Sequence, residues 1–271
     1  MKVVMTGAAG GVGTMIRPHL RSHFDHLVLS DLVEITDLQG NESFVQADIA
    51  DLGAMERLLA GADGLIHLGG QSVEAPWEAV LNANIIGLHN AYEAARRQRC
   101  QRIIFATTNH VVGFYRRQRT IDHTVMPRPD SRYGVSKAFG EALGRMYADK
   151  HGMRVFNIRI GNVDHKPVDR RRLSIWISPR DLAQLMRIGL EHPDIHFEIV
   201  YGVSHNARAW YDNSNAYRLG YRPEDHSENY AKEATEADAT VPSSPEEVVA
   251  EQFQGGGFCG MEFTGDVERT T

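Results

Sequence analysis

Eight residues near the start constrain this chain more than any others: Thr6-Gly7-Ala8-Ala9-Gly10-Gly11-Val12-Gly13. They follow Lys2-Val3-Val4-Met5, which reads as a buried strand. They open a stretch in which Val12, Ile16 and Leu20 recur at i, i+4 and i+8, as on one face of a helix. A strand, a glycine turn and a helix in that order suit a phosphate. Glycine lets the backbone turn tightly and approach a pyrophosphate, and free N–H groups at the helix start offset the charge. Gly7, Gly10, Gly11, Val12 and Gly13 are therefore candidate cofactor-binding residues. Asp31 ends the next apolar run, Leu27-Val28-Leu29, 18 residues past Gly13. A carboxylate there accepts hydrogen bonds from the adenosine ribose and repels a 2′-phosphate, so NAD is expected over NADP. Asp48, after Phe44-Val45, is placed to touch the adenine edge with Ile49 beside it.

The alternation continues. Gly64 to Leu68, Ile103 to Ala106 and Arg154 to Ile158 read as strands. Helical stretches fall around Met55 to Leu59, from Trp77 to Arg97, and from near Ser131. This predicts an α/β fold, a Rossmann-like doubly wound parallel sheet with a small C-terminal substrate-binding portion. The expected division is 1–160 for the nucleotide-binding region and 161–271 for the substrate-binding region and its tail. In the latter, Pro179 starts a helix to about Glu191, and Phe197 to Tyr201 is a strand. Glu224 to Glu251 holds nine acids against one base, Lys232, and is expected to be solvated and extended. Gly255-Gly256-Gly257-Phe258 suggests either a tight return over something or a flexible linker.

Composition removes several function classes. The formal net charge of -6, from 29 basic and 35 acidic residues, gives no draw toward nucleic acid. No apolar run approaches a membrane span, and the N-terminal residues read as a strand with no signal-peptide pattern. Two cysteines, Cys100 and Cys259, are too few for a disulfide scaffold or a cysteine zinc site. A soluble, cytoplasmic protein without a metal is the expectation.

Tyr133-Gly134-Val135-Ser136-Lys137 places a phenol and an ammonium at i, i+4, on one helix face. A phenol cannot act as a base at neutral pH unless its anion is favoured, and a nearby ammonium favours it. With the glycine turn upstream, the pair reads as machinery for moving a hydroxyl proton while hydride leaves the same carbon.

The glycine turn, Asp31, Asp48, Asn84 in Asn-Ile-Ile-Gly, Thr108 and Tyr133-x-x-x-Lys137 together resemble the extended short-chain dehydrogenase/reductase superfamily. Arg159-Ile160-Gly161-Asn162-Val163 and Leu219-Gly220-Tyr221-Arg222-Pro223 extend the likeness over nearly the whole chain. The resemblance implies that Tyr133 is the base, Lys137 its electrostatic partner and a ligand of the nicotinamide ribose, and Thr108 the hydroxyl that orients the reacting oxygen. Thr107 is the neighbouring rival. Asn84 would hold the proton-relay geometry, and Leu68, Gly69 and Ile160 would line the cofactor.

Within that superfamily, Thr108-Asn109-His110, the arginine run Arg170-Arg171-Arg172 before Leu173-Ser174-Ile175-Trp176, and the late Gly-Gly-x-Phe are similar to the uronate dehydrogenase family. Such an enzyme oxidises C1 of glucuronate or galacturonate with NAD to an aldarolactone. The resemblance implies that Ser72, Asn109, His110 and Asn162 bind sugar hydroxyls, Arg171 clamps the carboxylate, and Phe258 closes the pocket. It also implies a homo-oligomer pairing through the helices at Trp77 to Arg97 and Ser131 to His151. The alternatives are a sugar epimerase or dehydratase on the same fold and a non-catalytic dinucleotide sensor. The residues do not decide which uronate or anomer reacts, or which of the three arginines meets the carboxylate.

Overall fold

Val3, Val4 and Met5 are wholly buried, as a strand covered on both faces requires. The computed structural model, which describes residues 1–237 and 244–270, puts that strand inside a seven-stranded sheet. Its strands are β1 (Lys2–Thr6), β2 (His26–Asp31), β3 (Glu42–Gln46), β4 (Gly64–His67), β5 (Arg102–Thr108) and β6 (Arg154–Ile160). A two-stranded ribbon follows, β7 (Asn162–Val163) with β8 (Trp176–Ile177), and β9 (Phe197–Gly202) completes the main sheet. The order is β3-β2-β1-β4-β5-β6-β9, and every pairing is parallel.

The first helices are α1 (Gly11–Leu20), α2 (Leu52–Leu59), α3 (Trp77–Val80) and α4 (Gly87–Arg97). Next come α5 (Arg132–His151), α6 (Arg172–Ile175), α7 (Pro179–Glu191) and α8 (Ser214–Arg218). Short helices α9 (Ala231–Ala237), α10 (Pro245–Gln252) and α11 (Gly257–Gly260) finish the chain. Side chains alternate across β1. Val3 and Met5 join Ile16 and Leu20 of α1 and Leu182 and Met186 of α7, whereas Val4 joins Met55 of α2, Tyr92 of α4 and Tyr147 of α5. The core on the α1 and α7 face runs without a break from β1 to Tyr221, so residues 161–271 help complete the sheet as well as crossing the site.

Local chemistry sets the boundaries. The Ser131 hydroxyl accepts from Gly134 N–H at the start of α5, and Gly152 ends that helix in the left-handed conformation (φ 67°). Ser178 caps α7, with Pro179 in its first turn. The expected Trp77 to Arg97 helix has a π-helical interior at Leu81–Ile86, and Asn84 sits on that widened turn.

The acidic stretch departs from expectation. It folds as a 3₁₀ turn (Ser227–Tyr230), α9 and α10, with residues 238–243 outside the described ones. Two anchors explain this: the Ser227 hydroxyl donates to Leu173 O at 3.0 Å, and Ala234 is fully buried. A reciprocal capping box of Ser244 and Glu247, with Pro245 in the first turn, starts α10. The linker alternative for Gly255 to Gly257 also falls. Gln254 and Gly255 donate backbone N–H bonds to Tyr115 and Gly113, and Arg117 donates to Gln252, stitching the run to the loop after β5.

Candidate active site

The strand order reverses between β1 and β4, and the crevice at their carboxyl ends is where a ligand of a doubly wound sheet binds. Gly7 turns there with φ 68°, and a Cβ on it would lie 2.7 Å from Gly69 N, so only glycine admits this approach of backbones. A Cβ on Gly13 would lie 2.6 Å from Gly7 O, fixing α1 against the turn. The start of α1 has no side-chain cap and no acid in its first turn, which leaves its N–H groups for an anion. The Asp31 carboxylate accepts from Ala9 N at 3.0 Å and Leu32 N at 2.7 Å, so it is held beside the glycine turn. Exposed Asp48 accepts from Ala50 N at 2.8 Å, while Ile49 packs against Gly69 and Gly87. These groups fit a dinucleotide carrying an unmodified ribose.

A cavity of about 530 Å³ lies at the far end of this crevice. Thr108, Tyr133 and Lys137 line one wall, with Leu68 and Ile160 nearby. Strand β5 delivers Thr108 at its last residue, and the first turn of α5 delivers Tyr133, whose phenol hydrogen-bonds Thr108. Burial pushes that phenol up to about 12, against the pull of the Thr108 bond, with Asp130 adding to the rise. Lys137 donates to Ala106 O at 2.8 Å and lies 5.7 Å from the centre of the Tyr133 ring. Burial lowers its ammonium to about 8. Beneath them, burial and then the Lys137 charge push His67 down to about 3, so it is a neutral partner to the Thr6 hydroxyl at 2.9 Å. Thr107 also lines the cavity, but its hydroxyl is spent on Glu141 at 3.0 Å, and Glu141 forms a buried ion pair with Arg159.

The opposite wall is built from distant segments. His110 Nδ1 hydrogen-bonds the Asp130 carboxylate at 2.7 Å, and the ring stacks on Phe258, centres 4.1 Å apart. Ser72 lies at the rim, and Asn162 faces in with a buried Oδ1 that has no protein partner among the described residues. Arg171 donates to the carbonyls of Gln254 and Gly255 at 2.9 and 3.0 Å. No described carboxylate forms an ion pair with it, and burial pulls its guanidinium below the usual arginine range. Its neighbours differ: Arg170 is exposed, and Arg172 pairs with Asp169.

A family model described as the NAD dependent epimerase/dehydratase family matches residues 3–179. The chain belongs to this family. A uronate dehydrogenase of Pseudomonas syringae pv. tomato is 42% identical over 266 residues, covering 98% of this chain and 95% of that one. The solved glucuronic acid dehydrogenase of Chromohalobacter salexigens is 43% identical, with a TM-score of 0.90, covering 95% of this chain and 96% of the other. A tyrosine-to-alanine mutant of the Agrobacterium tumefaciens uronate dehydrogenase, solved with NAD, is 41% identical with a TM-score of 0.89, covering the same shares.

As a member of the epimerase/dehydratase family, the chain brings Ser72, Thr108, His110, Tyr133, Lys137, Asn162, Arg171 and Phe258 to one cavity. Two expected residues are not brought there. Asn109 is fully buried behind the wall; the amide orientation that satisfies its neighbours donates to Ile160 O at 3.2 Å and accepts from Arg171 at 3.3 Å. In that orientation it braces Arg171 from behind. Asn84 spends its amide on Gln71, through N–H at 2.7 Å and carbonyl at 3.0 Å, and on the Ser136 hydroxyl at 2.9 Å. It thereby ties the loop after β4 to α5.

Sequence reading missed Glu74 and Asp130. Glu74 accepts from Tyr133 N at 2.9 Å and pairs with Arg132 at 2.6 Å, adding a second anchor at the start of α5. In the chain both look like ordinary loop acids. Only Asp130, directly before the cap Ser131, carried any positional hint.

Proposed function

We propose that this chain is an NAD-dependent dehydrogenase that oxidises the C1 hydroxyl of a cyclic hexuronate, glucuronate or galacturonate, to the aldarolactone. One observation carries the reading: the half-buried Arg171 guanidinium, with no described carboxylate paired to it, lines the same cavity as Tyr133, Lys137 and Thr108. A cation taken out of water needs an anion, and guanidinium forks a carboxylate. Relatives named for uronate oxidation support the same substrate.

Gly7, Gly10, Gly11, Val12 and Gly13 would hold the pyrophosphate of NAD, Asp31 the adenosine ribose, and Asp48 with Ile49 the adenine. Leu68, Gly69, Ile160 and Lys137 would surround the nicotinamide end. When bound, NAD supplies the hydride acceptor. The chain's own residues do the rest. Arg171 binds the C6 carboxylate, and His110, Ser72 and Asn162 bind ring hydroxyls, which leaves C1 facing Tyr133. Thr108 holds the C1 hydroxyl oxygen, and Tyr133 takes its proton as the C1–O bond becomes a carbonyl. The Lys137 ammonium, in a dry site, lowers the cost of the phenolate. Phe258 covers the sugar.

Residues 1–160 thus hold the cofactor and the reacting groups and share recognition through Ser72 and His110, while 161–271 add Asn162, Arg171 and Phe258. The protein works in the cytoplasm as a homo-oligomer, consistent with free, buried Cys100 and Cys259 and with exposed Ile86, Val135 and Met146 on the pairing helices. Among the described residues no helix is long and apolar enough to cross a membrane.

Absorbance at 340 nm tests the proposal: purified protein with NAD should form NADH on galacturonate or glucuronate and far less on galactose or glucose. Turnover of a nucleotide sugar with no net NADH, and none on uronates, would replace it with an epimerase or dehydratase.

A further inference from the structure

Asp130 has no side-chain surface open to solvent. A Cβ on Gly113 or on Gly255 would lie 1.9 Å from its Oδ2, so two segments more than a hundred residues apart are both glycine where they meet this one carboxylate. Its partners are few. Oδ2 faces His110 Nδ1 at 2.7 Å and Cys259 Sγ at 3.9 Å, and Oδ1 accepts from the Ser131 hydroxyl at 2.7 Å. Among the described residues no lysine or arginine forms an ion pair with it. His110 in turn is clamped by the Phe258 ring, with Tyr133 edge-on at 6.0 Å. It lines the cavity, and no described protein group hydrogen-bonds its Nε2.

We propose that Asp130 is a positioning and specificity-determining residue that fixes His110 with its proton on Nδ1, so that Nε2 offers a lone pair to a substrate hydroxyl. A carboxylate only accepts, so Nδ1 carries the proton in this pair. The cavity needs what remains. Arg171 and Lys137 contribute only donors, whereas each sugar hydroxyl brings a hydrogen that must find an acceptor. The glycines of the C-terminal run then have a function. Gly255 lets the chain close over Asp130, and Gly256, whose φ is 65°, lies against Arg171, so one turn of backbone seats both recognition groups. This deepens the proposed uronate oxidation and rests on it for the identity of the hydroxyl donor, but the tautomer is a property of the protein alone.

Two measurements test it. In protein carrying ¹⁵N-labelled imidazoles, long-range ¹H–¹⁵N spectra, with His110 assigned from a His110→Ala sample, should show the proton on Nδ1 and Nε2 bare. In Asp130→Asn or Asp130→Ala that preference should be lost. A proton on wild-type Nε2, in a neutral or charged ring, overturns the proposal even if uronates are turned over. A double-mutant cycle on kcat/KM supplies the second readout. Asp130→Ala should cost roughly tenfold, as for one lost hydrogen bond, but add less than about twofold in the His110→Ala background. A full additive loss would make Asp130 merely structural and also overturn the proposal. If no uronate is oxidised at all, the spectra still decide the tautomer, and the failure belongs to the substrate assignment.

Discussion

The cofactor end and the substrate end of this cavity are built from different material. At the first, backbone does the work. Gly7 and Gly13 bring main chain against main chain, and a helix start without a side-chain cap is left for phosphate. At the second, side chains from β5, the loop after it, α5, β7, the segment entering α6 and the C-terminal run converge. Glycine there makes room for the protein's own Asp130 and Arg171. A backbone cradle needs only a short local pattern and serves a ligand shared by many enzymes. A wall of side chains needs the whole fold, and it is the wall that selects the substrate.

Substitutions can break or sharpen this contrast. Tyr133→Phe should lower kcat on the order of 10³-fold while NAD affinity, read by titration, stays near wild type. Loss of NAD binding would mean that the two ends are not separable. Lys137→Met should be inactive yet more stable at pH 7. Its folded value is about 8 against an ordinary 10.5, so burying the charged form costs about 3 kcal/mol at any pH below about 8. The lost bond to Ala106 O returns roughly 1 kcal/mol of that. Because the folded value is lowered, the cost fades as pH rises from about 8 to 10.5, so the gain in melting temperature should shrink over that window. A gain independent of pH would show that the lysine is not strained by burial.

Gly255→Ala should cost about 1–3 kcal/mol in denaturant unfolding, because Asp130 or the run must move, and raise KM for uronate with NAD affinity intact. Gly11→Ala is the mild counterpart. Its Cβ would meet nothing within 4 Å, so stability should hold or rise by less than about 1 kcal/mol. A large loss there would mean that the cradle depends on more than Gly7, Gly10 and Gly13.

Legibility followed the same divide. The alternation of apolar runs revealed each sheet strand, and Ser131 and Ser178-Pro179 marked their helices, because those signals lie within a few residues of what they control. That Tyr133 and Lys137 share one face of a helix was readable for the same reason. Which arginine is left without a carboxylate was not, since it depends on Asp169 taking Arg172 and on Gln254 and Gly255 enclosing Arg171. That Asn109 packs against Arg171 was not readable either, because the residue after a strand end can point behind the wall. The acidic stretch was misjudged from its charge, when the burial of Ser227 and Ala234 decides its path.

As the proposed reader of the substrate's charge, Arg171 is tested most directly by kcat/KM of wild type and Arg171→Ala on galacturonate and on galactose. Removing one partner of a buried charge pair costs roughly 2–5 kcal/mol, so galacturonate should lose at least about 30-fold while galactose changes little. Equal losses on the two sugars would contradict it and return this arginine to the role of a brace for the C-terminal run.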